Sequence, residues 1–218
     1  MYKDPDSIKV APAAILFDFD GTLADSFEAT LTIGNQLAEK YGYRPLNRTE
    51  AIEFRRRGIR RILQESDLPL HKVPLWLREF RKNLHAAVPE MKPCAGIQET
   101  LQKLRTTDVP LGIVTSNSRE NVELFLDNNG WSNWFSWLEC GSGLFGKHRL
   151  IERLLRKNNL APEDVLYVGD EERDIDCAQT AGVRSVAVTW GFNTREVLSA
   201  ATPDHLCENP TDLLKLVL

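Results

Sequence analysis

Four short runs, residues 13–17 (AAILF), 111–114 (LGIV), 165–168 (VLYV) and 185–188 (SVAV), are apolar or β-branched almost without alternation. That is the pattern of strands buried on both faces. A weaker fifth candidate covers residues 135–139. Between the later runs lie stretches of helical period at residues 97–104, 121–128, 149–158 and 174–181, each followed by a breaker such as Gly130, Pro162 or Gly182. Strand and helix in alternation predict an α/β chain: a parallel sheet with helices on both faces. Asn209 before Pro210 reads as the N-cap and first residue of a closing helix through Leu213, Leu214 and Val217.

Residues 25–91 break this rhythm, since they hold helical patterns and no convincing strand. Leu31, Leu37, Ala38 and Tyr41 supply one apolar stripe, Ile59, Ile62 and Leu63 a second, and Trp76, Leu77, Phe80 and Leu84 a third. Helices this short need a partner to pack on. The expected division is a discontinuous core, residues 1–24 and 92–218, with a helical module at 25–91.

Polar residues collect where the strands end: Asp18 and Asp20 after the first, Thr115, Ser116 and Asn117 after the second, Asp170 and Glu171 after the next. In an open parallel sheet that edge is where ligands bind. Three converging carboxylates repel one another unless protons or a cation intervene. Oxygen ligands without neighbouring His or Cys favour Mg2+ over zinc or copper. Asp18 and Asp20 are two apart, so on an extended segment they point the same way, and Gly21 allows a sharp turn. Exposed N–H groups around Gly21 and Thr22 can hold an anion.

Asp18-Phe19-Asp20-Gly21-Thr22-Leu23 resembles the first motif of the haloacid dehalogenase superfamily, and the others follow in order. Ser116, in Ile113-Val114-Thr115-Ser116-Asn117, resembles the second; Lys147 after Gly146 resembles the third; Gly169-Asp170-Glu171-Glu172-Arg173-Asp174-Ile175 resembles the acidic fourth. The resemblance implies a Rossmann-like core interrupted by a helical cap, as in relatives similar to phosphoglycolate phosphatase. It also implies roles. Asp18 is the nucleophile that forms an aspartyl-phosphate, and Asp20 the acid and then the base. Gly21, Thr22, Ser116, Asn117 and Lys147 bind phosphate. Mg2+ sits on Asp18, the Asp20 backbone carbonyl and Asp170, while Asp174 either binds it through water or anchors Lys147. Glu171 stands where many relatives carry Ser or Thr.

A general acid at Asp20 favours phosphoryl transfer over displacement of halide. A phosphonatase would need an imine-forming amine in the inserted module, and the surroundings of Lys40, Lys72 and Lys82 single none of them out. A sugar-phosphate mutase of the β-phosphoglucomutase type shares every core residue and stays open. So does a phospho-accepting receiver module, although that needs no helical cap. The module's most distinctive stretch holds Arg55, Arg56, Arg57, Arg60 and Arg61, five arginines in seven residues. They form either a solvated helix face or a clamp for the anionic end of a small phosphorylated metabolite such as phosphoglycolate.

Trp131, Trp134 and Trp137, spaced by three, predict one side of a helix, buried as core or, if exposed, a dimer contact; the expected state is monomer or homodimer. A formal charge of −4 argues against nucleic acid as the default partner, and no apolar run approaches the roughly 18–20 residues of a membrane span. The first twelve residues lack the pattern of a signal peptide. Cys94, Cys140, Cys177 and Cys207 show no paired spacing, which suits reduced thiols in a cytoplasmic protein.

Overall fold

The structure is a computed structural model that describes residues 11–55, 70–141 and 146–217. Its strands are β1 (Ala14–Phe17), β2 (Ala24–Asp25), β3 (Lys92–Pro93), β4 (Leu111–Thr115), β5 (Trp137–Cys140), β6 (Val165–Gly169), β7 (Arg184–Val188) and β8 (His205–Cys207). Its α-helices are α1 (Phe27–Tyr41), α2 (Arg48–Arg55), α3 (Val73–Ala87), α4 (Ile97–Leu104), α5 (Arg119–Asn128), α6 (Lys147–Asn158), α7 (Glu172–Ala181) and α8 (Arg195–Ala200). Six strands form one sheet in the order β5-β4-β1-β6-β7-β8, every neighbouring pair parallel. The α/β reading therefore holds.

Alternation along each strand divides the core between the two faces of the sheet. Ala14 and Leu16 of β1, with Val114 and Tyr167, meet Leu150, Ile151, Leu154 and Leu155 of α6 and Cys177, Ala178 and Ala181 of α7. Ile15 and Phe17 turn the other way, onto a cluster with Ile97, Leu101 and Leu104 of α4, Val122, Phe125 and Leu126 of α5, and Leu213 and Leu216. Leu16 is fully buried, so Leu16→Ala would cost about 2–5 kcal/mol. The closing segment is a 3-10 helix, Pro210–Leu216, and its start carries the expected cap: the Asn209 and Asp212 side chains bond reciprocally to each other's backbone.

The tryptophan spacing misleads. Trp131 follows α5 and is fully buried, Trp134 stacks on it at 5.2 Å, and Trp137 begins β5, so the three share no helix. Two of them lie in a connection between elements, where a spacing of three has no periodic meaning.

Residues 26–91 carry α1, α2 and α3 and no strand among the described residues. Leu37, Ala38 and Tyr41 of α1 and Leu84 of α3 are buried, and Trp76 and Phe80 pack stacked at 5.0 Å. These helices share the cluster that contains Ile15 and Phe17, so they rest on the sheet domain through Phe19, Leu23, Val88 and Met91. The chain leaves through β2 and returns through β3, which pair antiparallel with Ala24 opposite Pro93 and Asp25 opposite Lys92. The second predicted stripe, Ile59, Ile62 and Leu63, lies outside the described residues.

Candidate active site

The predicted core residues sit just after the carboxyl ends of β1, β4 and β6 or on α7, except Lys147, which opens α6 beyond β5. β1 ends at Phe17, and Asp18 follows with its amide bonded to the Val168 carbonyl at 2.8 Å. The chain then turns tightly: the Leu23 and Ala24 amides donate to the Phe19 carbonyl and Gly21 to Ala24. Gly21 has φ +78°, and a Cβ there would overlap the Asp170 carboxylate. A Cβ on Gly169, the last residue of β6, would overlap Asp174 in the same way. Glycine at these two points lets the backbone approach the acids closely.

Lys147 is the first residue of α6 and is buried. Its Nζ lies 2.8 Å from Asp18 Oδ2 and 2.5 Å from Asp174 Oδ1. Burial alone would lower the lysine's pKa, but the two aspartates outweigh it and hold the group charged. Asp18 Oδ1 is buried and takes no hydrogen bond from the described residues. Asp18, Asp170 and Asp174 each place one carboxylate oxygen within 4.8 Å of the others. Burial raises the Asp170 pKa well above its ordinary value, and the charges of Glu171, Asp174 and Asp18 add to that. Asp174 is pushed up to about 6, mainly by burial, with Lys147 opposing.

Asp20 Oδ2 accepts from Asn117 Nδ2 at 2.8 Å. Its Oδ1 is buried, and the buried Ser26 hydroxyl faces the same carboxyl and favours its charged form. Burial first, and the Asp18 charge second, raise the Asp20 pKa to about 6.

The phosphate-binding expectations meet a mixed geometry. Ser116 is half-buried directly after β4. Thr22 is buried, and its hydroxyl donates to Asp170 Oδ1 at 2.7 Å. The Gly21 and Thr22 amides bond to Ala24 and Phe19 carbonyls. The Asn117 amide donates to Asp20, while its Oδ1 accepts from the Ser118 amide and Asn121 Nδ2. Glu171 caps α7 and pairs with Arg173, whose Nε and Nη2 both reach Glu171 Oε2. Asp174 completes the capping box by accepting from the Glu171 amide at 3.1 Å. Arg55 closes α2, and Arg56, Arg57, Arg60 and Arg61 lie outside the described residues.

Sequence reasoning passed over the turn after β7, where the Phe192 amide donates to Asp170 Oδ2 at 2.7 Å and Asn193 Oδ1 receives the Glu172 amide at 2.9 Å. That turn follows the carboxyl end of another parallel strand, so the strand-end rule reaches it once applied to β7.

The described haloacid dehalogenase-like hydrolase family matches residues 15–188. The chain belongs to that family. A phosphoglycolate phosphatase of Synechococcus elongatus is 38% identical over 204 residues, 94% of this chain and 96% of the relative. Pyrophosphatase PpaX of Bacillus mycoides is 26% identical over 207 residues, 93% and 95% of the two chains. A haloacid dehalogenase-like family protein of Streptococcus pneumoniae shares the fold with a TM-score of 0.78 at 24% identity, covering 92% of this chain and 96% of that one. CbbY from Rhodobacter sphaeroides, solved with phosphate, gives 0.72 at 24% identity and 95% and 100% coverage. This chain is accordingly an enzyme, a hydrolase of the phosphatase type, and the receiver alternative falls away. No described helix is long and apolar enough to cross a membrane.

Proposed function

We propose that the enzyme hydrolyses a small phosphate monoester through an aspartyl-phosphate on Asp18. The observation that carries this reading is the buried Lys147 bridging Asp18 Oδ2 and Asp174 Oδ1 while Asp18 Oδ1 stays unengaged. One carboxylate oxygen is held by a fixed cation and the other is left to react. In the first step Asp18 Oδ1 forms a bond to phosphorus, the ester P–O bond breaks, and Asp20 gives its proton to the departing alkoxide. In the second, Asp20 takes a proton from the water that attacks the acyl phosphate, which releases inorganic phosphate and restores Asp18. An Asp20 pKa near 6 suits a group that must both give and take a proton near neutrality. Ser116 and Lys147 offer a hydroxyl and a positive charge to the phosphoryl oxygens.

The donor set fits a hard divalent ion, because the clustered carboxylates of Asp18, Asp170 and Asp174 offer oxygen ligands only. Asp18, Asp170 and the Asp20 backbone carbonyl would hold Mg2+. Asp174, with one oxygen on Lys147 and the other on the Glu171 amide, suits the role of anchor for the lysine. Bound there, the ion would offset the negative charge of phosphate and carboxylates together.

In this reading residues 1–24 and 92–218 are the catalytic core and 25–91 the cap that shapes substrate choice. The S. elongatus relative supports phosphoglycolate as the substrate. The arginines at 55, 56, 57, 60 and 61 are the candidates for gripping its carboxylate. The four unpaired thiols fit a reducing, cytoplasmic setting. A panel of phosphorylated metabolites assayed with and without Mg2+ tests the proposal: phosphoglycolate should be hydrolysed fastest, with metal only. Phosphoryl transfer to a sugar phosphate in preference to water would move the enzyme to the mutase alternative.

A further inference from the structure

A chain of side-chain hydrogen bonds runs from the inserted helices to Asp20. His85 Nδ1, on α3, lies 2.7 Å from Asn121 Oδ1, on α5. Asn121 Nδ2 donates to Asn117 Oδ1 at 2.9 Å, and Asn117 Nδ2 donates to Asp20 Oδ2 at 2.8 Å. Amide orientations are ambiguous in isolation, but one backbone group removes the ambiguity here. The Ser118 amide, 2.8 Å from Asn117, can only donate, so the Asn117 atom facing it is the oxygen. The Asn117 nitrogen then faces Asp20. Asn121 must turn its own nitrogen toward Asn117 and its oxygen toward His85, and His85 must donate from Nδ1. The neutral Nδ1–H tautomer and the imidazolium both do so, and the chain has the same direction in either state.

The direction bears on chemistry. Asn117 Nδ2 donates and cannot accept, so Asp20 Oδ2 is fixed as an acceptor and a proton carried by this carboxyl belongs on Oδ1. Oδ1 is buried and takes nothing from Asn117, and the only hydroxyl the site sets against this carboxyl among the described residues, that of Ser26, can accept as well as donate. We infer that His85, Asn121 and Asn117 are positioning residues for Asp20, a directed relay that keeps its acidic proton on Oδ1, facing the leaving oxygen. The inference rests on Asp20 being the general acid. The relay begins in the inserted helices, at an exposed histidine remote from the reacting atoms, and ends at the carboxyl that meets the leaving group.

The test uses leaving groups. The ratio of kcat/KM for phosphoglycolate to that for 2,4-dinitrophenyl phosphate isolates proton donation, because the dinitrophenolate departs without a proton and kcat/KM reports only steps through the first irreversible one. Asn121→Leu, close in size but without donor or acceptor, should lower the ratio about tenfold, and His85→Ala about threefold. His85→Gln, whose amide can donate to Asn121, should restore it. A purely structural role would lower both substrates together and leave the ratio where it was, and that result overturns the relay. Because His85 is exposed, the His85 pair carries the test alone if Asn121→Leu does not fold. Asp20→Asn separates the two ideas: if it lowers both substrates equally, Asp20 is not the acid. If it lowers the ratio and the His85 and Asn121 variants do not, only the relay is wrong.

Discussion

Oppositely charged side chains meet in both halves of this molecule, under opposite physical conditions. At the sheet edge, the side chains of Lys147, Asp18 and Asp174 are each at most 3% exposed. In the inserted helices, Lys40 meets Glu79 and Arg48 meets Glu28 with the cations 61% and 73% exposed. Water screens the second kind almost fully, and such pairs decide little. Charges of the first kind cannot be shed or rearranged without leaving a partner bare in a low-dielectric interior. The sheet edge therefore holds its charges locked in a dry interior, and the inserted helices carry theirs as a polar shell on an apolar seam.

Asp18→Asn breaks the comparison hardest. It removes the proposed nucleophile, and kcat should drop by about four orders of magnitude or more while far-ultraviolet circular dichroism stays native. Near-normal turnover would eliminate the aspartyl-phosphate.

Lys147→Met comes next, since it leaves Asp18 and Asp174 buried and unpaired. Removing one member of such a pair costs about 3–5 kcal/mol, visible in urea melts, and turnover should fall about a hundredfold.

Metal and pH sharpen the contrast further. The pKa values of Asp20, Asp170 and Asp174 are raised, so in metal-free protein their contribution favours folding below the ordinary carboxylate range near pH 4. That contribution is lost as pH rises through about 6, where Asp20 and Asp174 ionise against neighbouring charge. A cation binds the ionised form. Thermal melts should therefore show a larger Mg2+ stabilisation at pH 8 than at pH 5. At a hundred times Kd it would be about 2.7 kcal/mol. Equal shifts at the two pH values would contradict a metal held by these carboxylates.

Smaller effects belong to the inserted segment. Replacing the arginines at 55, 56, 57, 60 and 61 by Ala should raise KM for phosphoglycolate about tenfold relative to phenyl phosphate, which has no carboxylate to grip. Lys40→Ala should leave both the thermal midpoint and turnover where they are, even though its Nζ sits 2.6 Å from Glu79.

What the sequence revealed follows the same division. Asp18, Ser116 and Asp170 were legible because strands buried on both faces are conspicuous and parallel sheets bring their carboxyl ends together. β8 was missed because it is three residues long, flanked by Asp204 and Glu208, and so short a run shows no period. His85 and Asn121 were illegible for another reason: both lie on helices, and their link to Asp20 exists only after α3 packs beside α5. The Lys147 pairing with Asp18 reaches across the whole inserted segment, and only the motif order hinted at it.

The β2–β3 ribbon has a consequence for how such a chain can vary. It brings the exit and the return of the inserted segment side by side, so the sheet domain meets the segment as a closed loop whose ends are already joined. The entropy of closing a loop grows only with the logarithm of its length. Lengthening, shortening or exchanging the helices between those two short strands would thus cost the sheet domain little, provided Phe19, Leu23, Val88 and Met91 still find apolar partners. The ribbon works as a socket: the segment seated there can be refitted while Asp18, Asp170 and Asp174 keep their places at the sheet edge.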